Sequence, residues 1–132
     1  RIEFSQKTME LVRRGLWEAV NTLGGTAFRS RLNTVDISGK TGTAQLVGRK
    51  EDESAEDQEE LADHLKDHAW FVAFAPSKDP KIAVAVIVEH GEHGSSAAAP
   101  IASAMIQTYL EDRPDGQKVA LQRQVVEMTN DQ

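Results

Sequence analysis

The chain has 132 residues, with 15 Lys plus Arg against 21 Asp plus Glu and a formal net charge of -6, a length that suits one globular domain or part of one. At 39% hydrophobic residues it can bury a core. An acidic balance with two small basic clusters, Arg13–Arg14 and Arg49–Lys50, argues against nucleic acid as a partner, and zero Cys excludes disulfides, thiol nucleophiles and thiolate metal sites.

The first element is predicted from Ser5 to about Leu23. Met9, Val12, Leu16, Ala19, Val20 and Leu23 recur at spacings of three and four, Ser5 is placed to cap the start, and Gly24–Gly25 stop it. Trp17 stands near this apolar stripe and is expected in the core rather than at a ligand. After a short irregular passage, Thr34 to Gln45 reads as a strand from its β-branched residues, although Gly39 and Gly42 weaken it.

Residues 51–67 hold nine acids and one base, Lys66. Taking that segment's -8 from the total of -6 leaves +2 on the other 115 residues, so the acidity belongs to one insertion, about 47–67. Such a block reads as a solvated segment, helical toward its end where Leu61 and Leu65 stand four apart. Glu60, His64 and His68 also recur at four. However, Leu65 follows His64 where a zinc protease needs Glu, and no third ligand is evident, so no metal and no cofactor are implied.

Two apolar runs follow, His68–Ala75 and Lys81–His90, joined by Pro76-Ser77-Lys78-Asp79-Pro80, which together predict a β-hairpin. Trp70, Val72 and Phe74 alternate with Ala69, Phe71, Ala73 and Ala75, and Ile82, Val84, Val86 and Val88 with Ala83, Ala85 and Ile87. Both faces are apolar, so the hairpin is expected to be covered on both sides, with a helix close against its small residues. His90 and His93 are expected to decorate the loop that follows. A second helix is predicted next, capped by Ser95 or Ser96, with Pro100 near its first turn, Ile101, Met105, Ile106 and Leu110 as its apolar stripe, and an end near Glu111. In the tail, residues 111–132, Leu121, Val125 and Met128 are at helical spacing. The predicted class is α+β, an antiparallel sheet sandwiched by helices.

The chemistry sits in Ser38-Gly39-Lys40-Thr41-Gly42-Thr43. A phosphate-binding loop would match Gly39-Lys40-Thr41, but it needs Gly where Thr34 stands and a helix start where Gly42 and Thr43 stand. The alternative is a strand-borne K-T-G, the third motif of serine acyltransferases. On an edge strand, Lys40 supplies a cation, Thr41 a hydroxyl, Thr43 an amide, and Gly42 a backbone with no Cβ, against which an extended acyl-peptide can lie as an added strand.

The context extends the tripeptide. Lys40-Thr41-Gly42-Thr43-Ala44-Gln45, His68-Ala69-Trp70-Phe71-Val72-Ala73-Phe74-Ala75-Pro76, Ile82 to Gly91 and Ala97-Ala98-Ala99-Pro100-Ile101-Ala102 together resemble the C-terminal part of the transpeptidase domain of class B penicillin-binding proteins, nearest to the elongation type. The resemblance covers about residues 1–110 and fades in the acidic insertion and the tail. It implies a partial penicillin-binding/β-lactamase-like fold with the K-T-G strand at a sheet edge. It also implies a peptidoglycan D,D-transpeptidase that works through an acyl-serine and is acylated by β-lactams, at the periplasmic face of the bacterial inner membrane, with the anchor outside this chain. Under the resemblance, Lys40, Thr41, Gly42 and Thr43 bind the D-Ala-D-Ala stem peptide, Lys40 organises the polar site, the Thr43 amide is an oxyanion-hole donor, and Trp70, Phe71 and Phe74 are core of the next strand.

The chain departs from the family in one decisive respect. No serine here begins S-x-x-K or S-x-N, so the nucleophile and its base lie outside this sequence. The absence of an initiator Met points the same way. The expectation is a C-terminal fragment, inactive alone, that needs the rest of the transpeptidase domain as a partner and leaves an apolar sheet edge able to pair with a second copy. A module of the same scaffold that binds peptide or protein without catalysis is the alternative.

Overall fold

The structure, a computed structural model, describes residues 3–46 and 65–111. Helix α1 spans Gln6–Asn21, strands β1, β2 and β3 span Ser38–Ala44, His68–Ala75 and Ile82–Val88, and helix α2 spans Ala99–Glu111. The predicted helical end of the acidic insertion, His64 and the tail beyond Glu111 lie outside the described residues.

Helix α1 starts where its cap predicts: the Ser5 hydroxyl accepts a hydrogen bond from the Thr8 amide at 3.1 Å, satisfying one of the donors a helix start leaves open. Its stripe is only half used. Val20 is fully buried, whereas Met9 and Val12 are 39% and 50% exposed and Leu23 lies outside the core. Trp17 is half-buried rather than core, and its indole N–H donates to Asp36 Oδ2 at 3.2 Å, fastening α1 to the approach to β1. From the same turn of α1, Asn21 Nδ2 donates to the Ile37 carbonyl at 2.7 Å.

All strands are antiparallel, in the order β1-β2-β3. The hairpin forms as expected, but its turn runs from Pro76 to Lys81 and β3 is Ile82–Val88 rather than Lys81–His90, and β1 begins at Ser38, later than predicted, because residues 33–35 form bends before the chain extends. The register aligns Thr41 with Phe71 and Val86, and Lys40 with Val72 and Ala85. Side chains alternate across a strand, so these triplets define the two faces of the sheet. On the Phe71 face, Ala69, Phe71, Ala73, Ala75 and Val86 form one core with Val20 and Ile37 and with Ala98, Ala99, Ala102, Ile106 and Leu110 of the α2 segment. Small side chains on both partners are what let α2 lie so close.

The α+β class stands, with helices packed on an antiparallel sheet. The hairpin, however, is not covered on both sides among the described residues: Trp70, Val72 and Ile87 are 38%, 47% and 46% exposed, and Phe74 is half-buried. Both helices contribute to the core on the Phe71 face, so Trp70 and Phe74 are not buried alongside Phe71. The start of α2 also differs. A wide helical turn, Gly94–Ala98, precedes it and absorbs Ser95 and Ser96, so neither is the cap. The buried stripe of α2 is accordingly Ala99, Ala102, Ser103, Ile106 and Leu110, while Ile101 and Met105 face outward. Among the described residues, no helix is long and apolar enough to cross a membrane.

Candidate active-site wall

The K-T-G segment lies within β1, a regular strand at one edge of the sheet. A phosphate loop is thereby excluded, since Gly39-Lys40-Thr41 is extended and no helix starts after it. The place of β1 is set by close packing beneath it. A Cβ on Gly39 would lie 2.6 Å from the Phe71 ring and 2.8 Å from the Val72 carbonyl oxygen, so the aromatic ring occupies the space that a side chain would need.

The predicted site residues are contiguous but divide between the two faces. Lys40 and Gly42 lie on the open face, opposite Val72 and Trp70, and Thr41 and Thr43 lie on the other, opposite Phe71 and Ala69. Lys40 is exposed, and its ammonium donates to the Thr41 carbonyl at 2.7 Å, which holds the cation along the strand edge. A Cβ on Gly42 would meet only Trp70 Cβ, at 3.3 Å. The Thr41 hydroxyl donates to Thr26 Oγ1 at 3.2 Å and the Thr43 hydroxyl to the Glu92 carbonyl at 3.4 Å. Both contacts are long for O–H···O bonds, whose usual length is about 2.7–2.8 Å.

Residues not expected at the site bound the far end of β1. The hairpin register returns the chain from Val88 to the level of Ala69, which brings the loop after β3 against Ala44 and His68. There His90 is no decoration: its amide donates to His68 Nδ1 at 3.0 Å, its own Nδ1 bonds the Lys66 carbonyl at 3.1 Å, and the two rings meet edge-on at 5.0 Å. Nor is His68 merely a solvated residue at the end of the insertion. The available signal was the hairpin itself, because a short turn between paired strands fixes which residues meet at their open ends. Beside Thr26, a groove of about 710 Å³ runs past Phe28, Arg31, Ser96, Pro100 and Ser103, and none of the K-T-G residues lines it. Among the described residues, no group of three metal-capable side chains comes together.

Comparison with known proteins gives a consistent picture. The sequence pattern of the family described as Penicillin binding protein transpeptidase domain matches residues 1–107. The Peptidoglycan D,D-transpeptidase MrdA of Haemophilus influenzae is 40% identical over 105 residues, which are 79% of this chain and 16% of that protein. Among solved structures, Helicobacter pylori PBP2 in its complex with MreC superposes with a TM-score of 0.66 at 30% identity, over 84% of this chain and 18% of that one. Pseudomonas aeruginosa PBP2 superposes with a TM-score of 0.65 at 34% identity, over 86% of this chain and 21% of that one.

Proposed function

Because the chain belongs to the penicillin-binding protein transpeptidase domain family, we propose that it forms the K-T-G wall of a peptidoglycan D,D-transpeptidase whose nucleophilic serine is supplied by the rest of the domain. The observation that carries this reading is Lys40-Thr41-Gly42-Thr43 on a regular edge strand, with no strand beyond it among the described residues. An unpaired edge offers a row of amides and carbonyls to an extended peptide, which is how a stem peptide would be held.

In the proposed reaction the serine oxygen attacks the penultimate D-Ala carbonyl and the terminal D-Ala leaves. An amine from a neighbouring stem peptide then takes the acyl group from the serine. Lys40 attracts the donor carboxylate and polarises the site. The Thr41 and Thr43 hydroxyls, released from Thr26 and Glu92, bind that carboxylate. The Thr43 amide is one of two donors to the oxyanion, each contributing roughly 3 kcal/mol in the transition state. A β-lactam enters as a mimic of the donor and leaves the serine acylated. The names of the relatives, which are peptidoglycan transpeptidases, support a place for the whole protein at the periplasmic face of the inner membrane. The Helicobacter pylori complex with MreC supports a protein partner there.

The test is covalent labelling by a fluorescent penicillin. The whole protein is expected to label in a hydroxylamine-sensitive manner, Lys40→Ala to slow labelling about 100-fold or more, and the 132-residue chain by itself not to label. Labelling of the isolated chain would refute the assignment of the nucleophile to another part of the domain, and a whole protein that never labels would refute the transpeptidase reading.

A further inference from the structure

Two non-glycine residues of the loop after β3, His90 and Glu92, take left-handed backbone angles, with φ of 57° and 59°. Such residues persist only where their surroundings hold them. Two hydrogen bonds do so here, from the His90 amide to His68 Nδ1 at 3.0 Å and from the Glu92 amide to the Asp67 carbonyl at 2.9 Å. The loop so held touches the K-T-G strand in two places. The Glu92 carbonyl accepts from the Thr43 hydroxyl, and Gly94 is pressed so close that a Cβ there would lie 2.2 Å from the Trp70 carbonyl oxygen and 2.8 Å from that of Gly42. His68 itself stands opposite Ala44, one residue beyond Thr43.

We propose that His68 is a positioning residue for Thr43: it accepts the His90 amide through an unprotonated Nδ1, and so sets the Glu92–Gly94 turn against the end of the strand that carries the oxyanion donor. This rests on the reading of β1 as a wall of the acyl-transfer site. The bond has a sign with respect to pH. Nδ1 accepts only while it carries a lone pair, and a proton there would leave two donors facing each other. His90 is fixed in the complementary role, since only an Nδ1–H can bond the Lys66 carbonyl. A proton on His68 Nδ1 therefore releases the turn, and the positioning of Thr43 is lost with it. The charged groups around the pair are Lys66, whose ammonium is 3.8 Å from Glu92 Oε2, Asp67, whose carboxylate accepts from the Leu46 amide, and Glu89 and His93, which flank the loop.

The experiment uses the whole protein and two readouts, the rate of penicillin acylation between about pH 7.5 and about pH 5.5, and amide hydrogen exchange in peptides covering 40–46 and 88–94. His68→Ala removes the acceptor and is expected to slow acylation roughly tenfold at neutral pH and to raise exchange in both peptides. His68→Asn places an amide oxygen the same number of bonds from the backbone, and it does not titrate. It is expected to restore both readouts and to flatten the loss of rate that the wild type shows in acid. The proposal is overturned if His68→Asn behaves like His68→Ala, if it keeps the acid loss, or if His68→Ala leaves exchange unchanged. If His68→Ala does not fold, the pH profile and exchange of His68→Asn decide alone. A wild type that is not acylated at all would count against the transpeptidase reading, and exchange would then decide the role of His68.

Discussion

Gly39 shows how one residue ties the K-T-G strand to the core. The Phe71 ring and the Val72 carbonyl oxygen already fill the space where a Cβ would sit, and neither can retreat, since Phe71 is fully buried and Val72 is part of the β-ladder. Gly39→Ala is therefore expected to cost about 1–3 kcal/mol through overpacking and to lower the thermal midpoint of the protein. Because the strain falls one residue before Lys40, the proposed acylation of the whole protein should slow with it. An unchanged midpoint would show that the strand moves away from Phe71 without penalty. Gly42 differs: its missing side chain meets only Trp70 Cβ, at a distance where a small shift suffices, so its lack of a side chain matters chiefly to whatever lies along the edge.

The helices differ in how much of their apolar surface finds a partner. Helix α2 contributes Ala99, Ala102 and Ile106 to the same core as Ala69, Ala73 and Ala75 of β2, so most of the side chains along that seam are small. Ala102→Leu inserts three carbons into that seam and is expected to destabilise by about 1–3 kcal/mol, as denaturant unfolding would measure. Met105→Leu on the exposed side of the same helix should be close to neutral. Helix α1 contributes Val20 to the same core, but Met9 and Val12, about three and two turns earlier, remain outside it. Its periodicity thus describes a stripe longer than the described contacts use.

At the scale of the molecule, β3 forms the second sheet edge, with Ala83, Ala85 and Ile87 outward and no strand beyond it among the described residues, next to an open face carrying Trp70 and Val72. An apolar, unpaired edge is a template for another strand. The isolated chain is expected to self-associate with rising concentration, and Ala85→Lys, which puts a charge on that face, to reduce it. A clean monomer by sedimentation at high concentration, with β3 amides exchanging freely, would refute this. The chain spans 16% of the Haemophilus influenzae relative.

Periodicity and local chemistry were enough for the two helices, the Ser5 cap, the hairpin and its turn, and the K-T-G strand, because each depends on residues close in the chain. The resemblance carried by Lys40–Gln45 and the hairpin likewise rested on contiguous stretches. What they could not decide was which of two apolar faces receives a helix. Trp70 and Phe71 are equally hydrophobic, and only the docking of α2 on alanines 69, 73 and 75 buries one and leaves the other. Nor could they place His68 beside His90, since 22 residues separate them in the chain. Strand pairing brings those residues together and sets the Glu92 turn against Thr43, and long-range contact of that kind is fixed by tertiary structure alone.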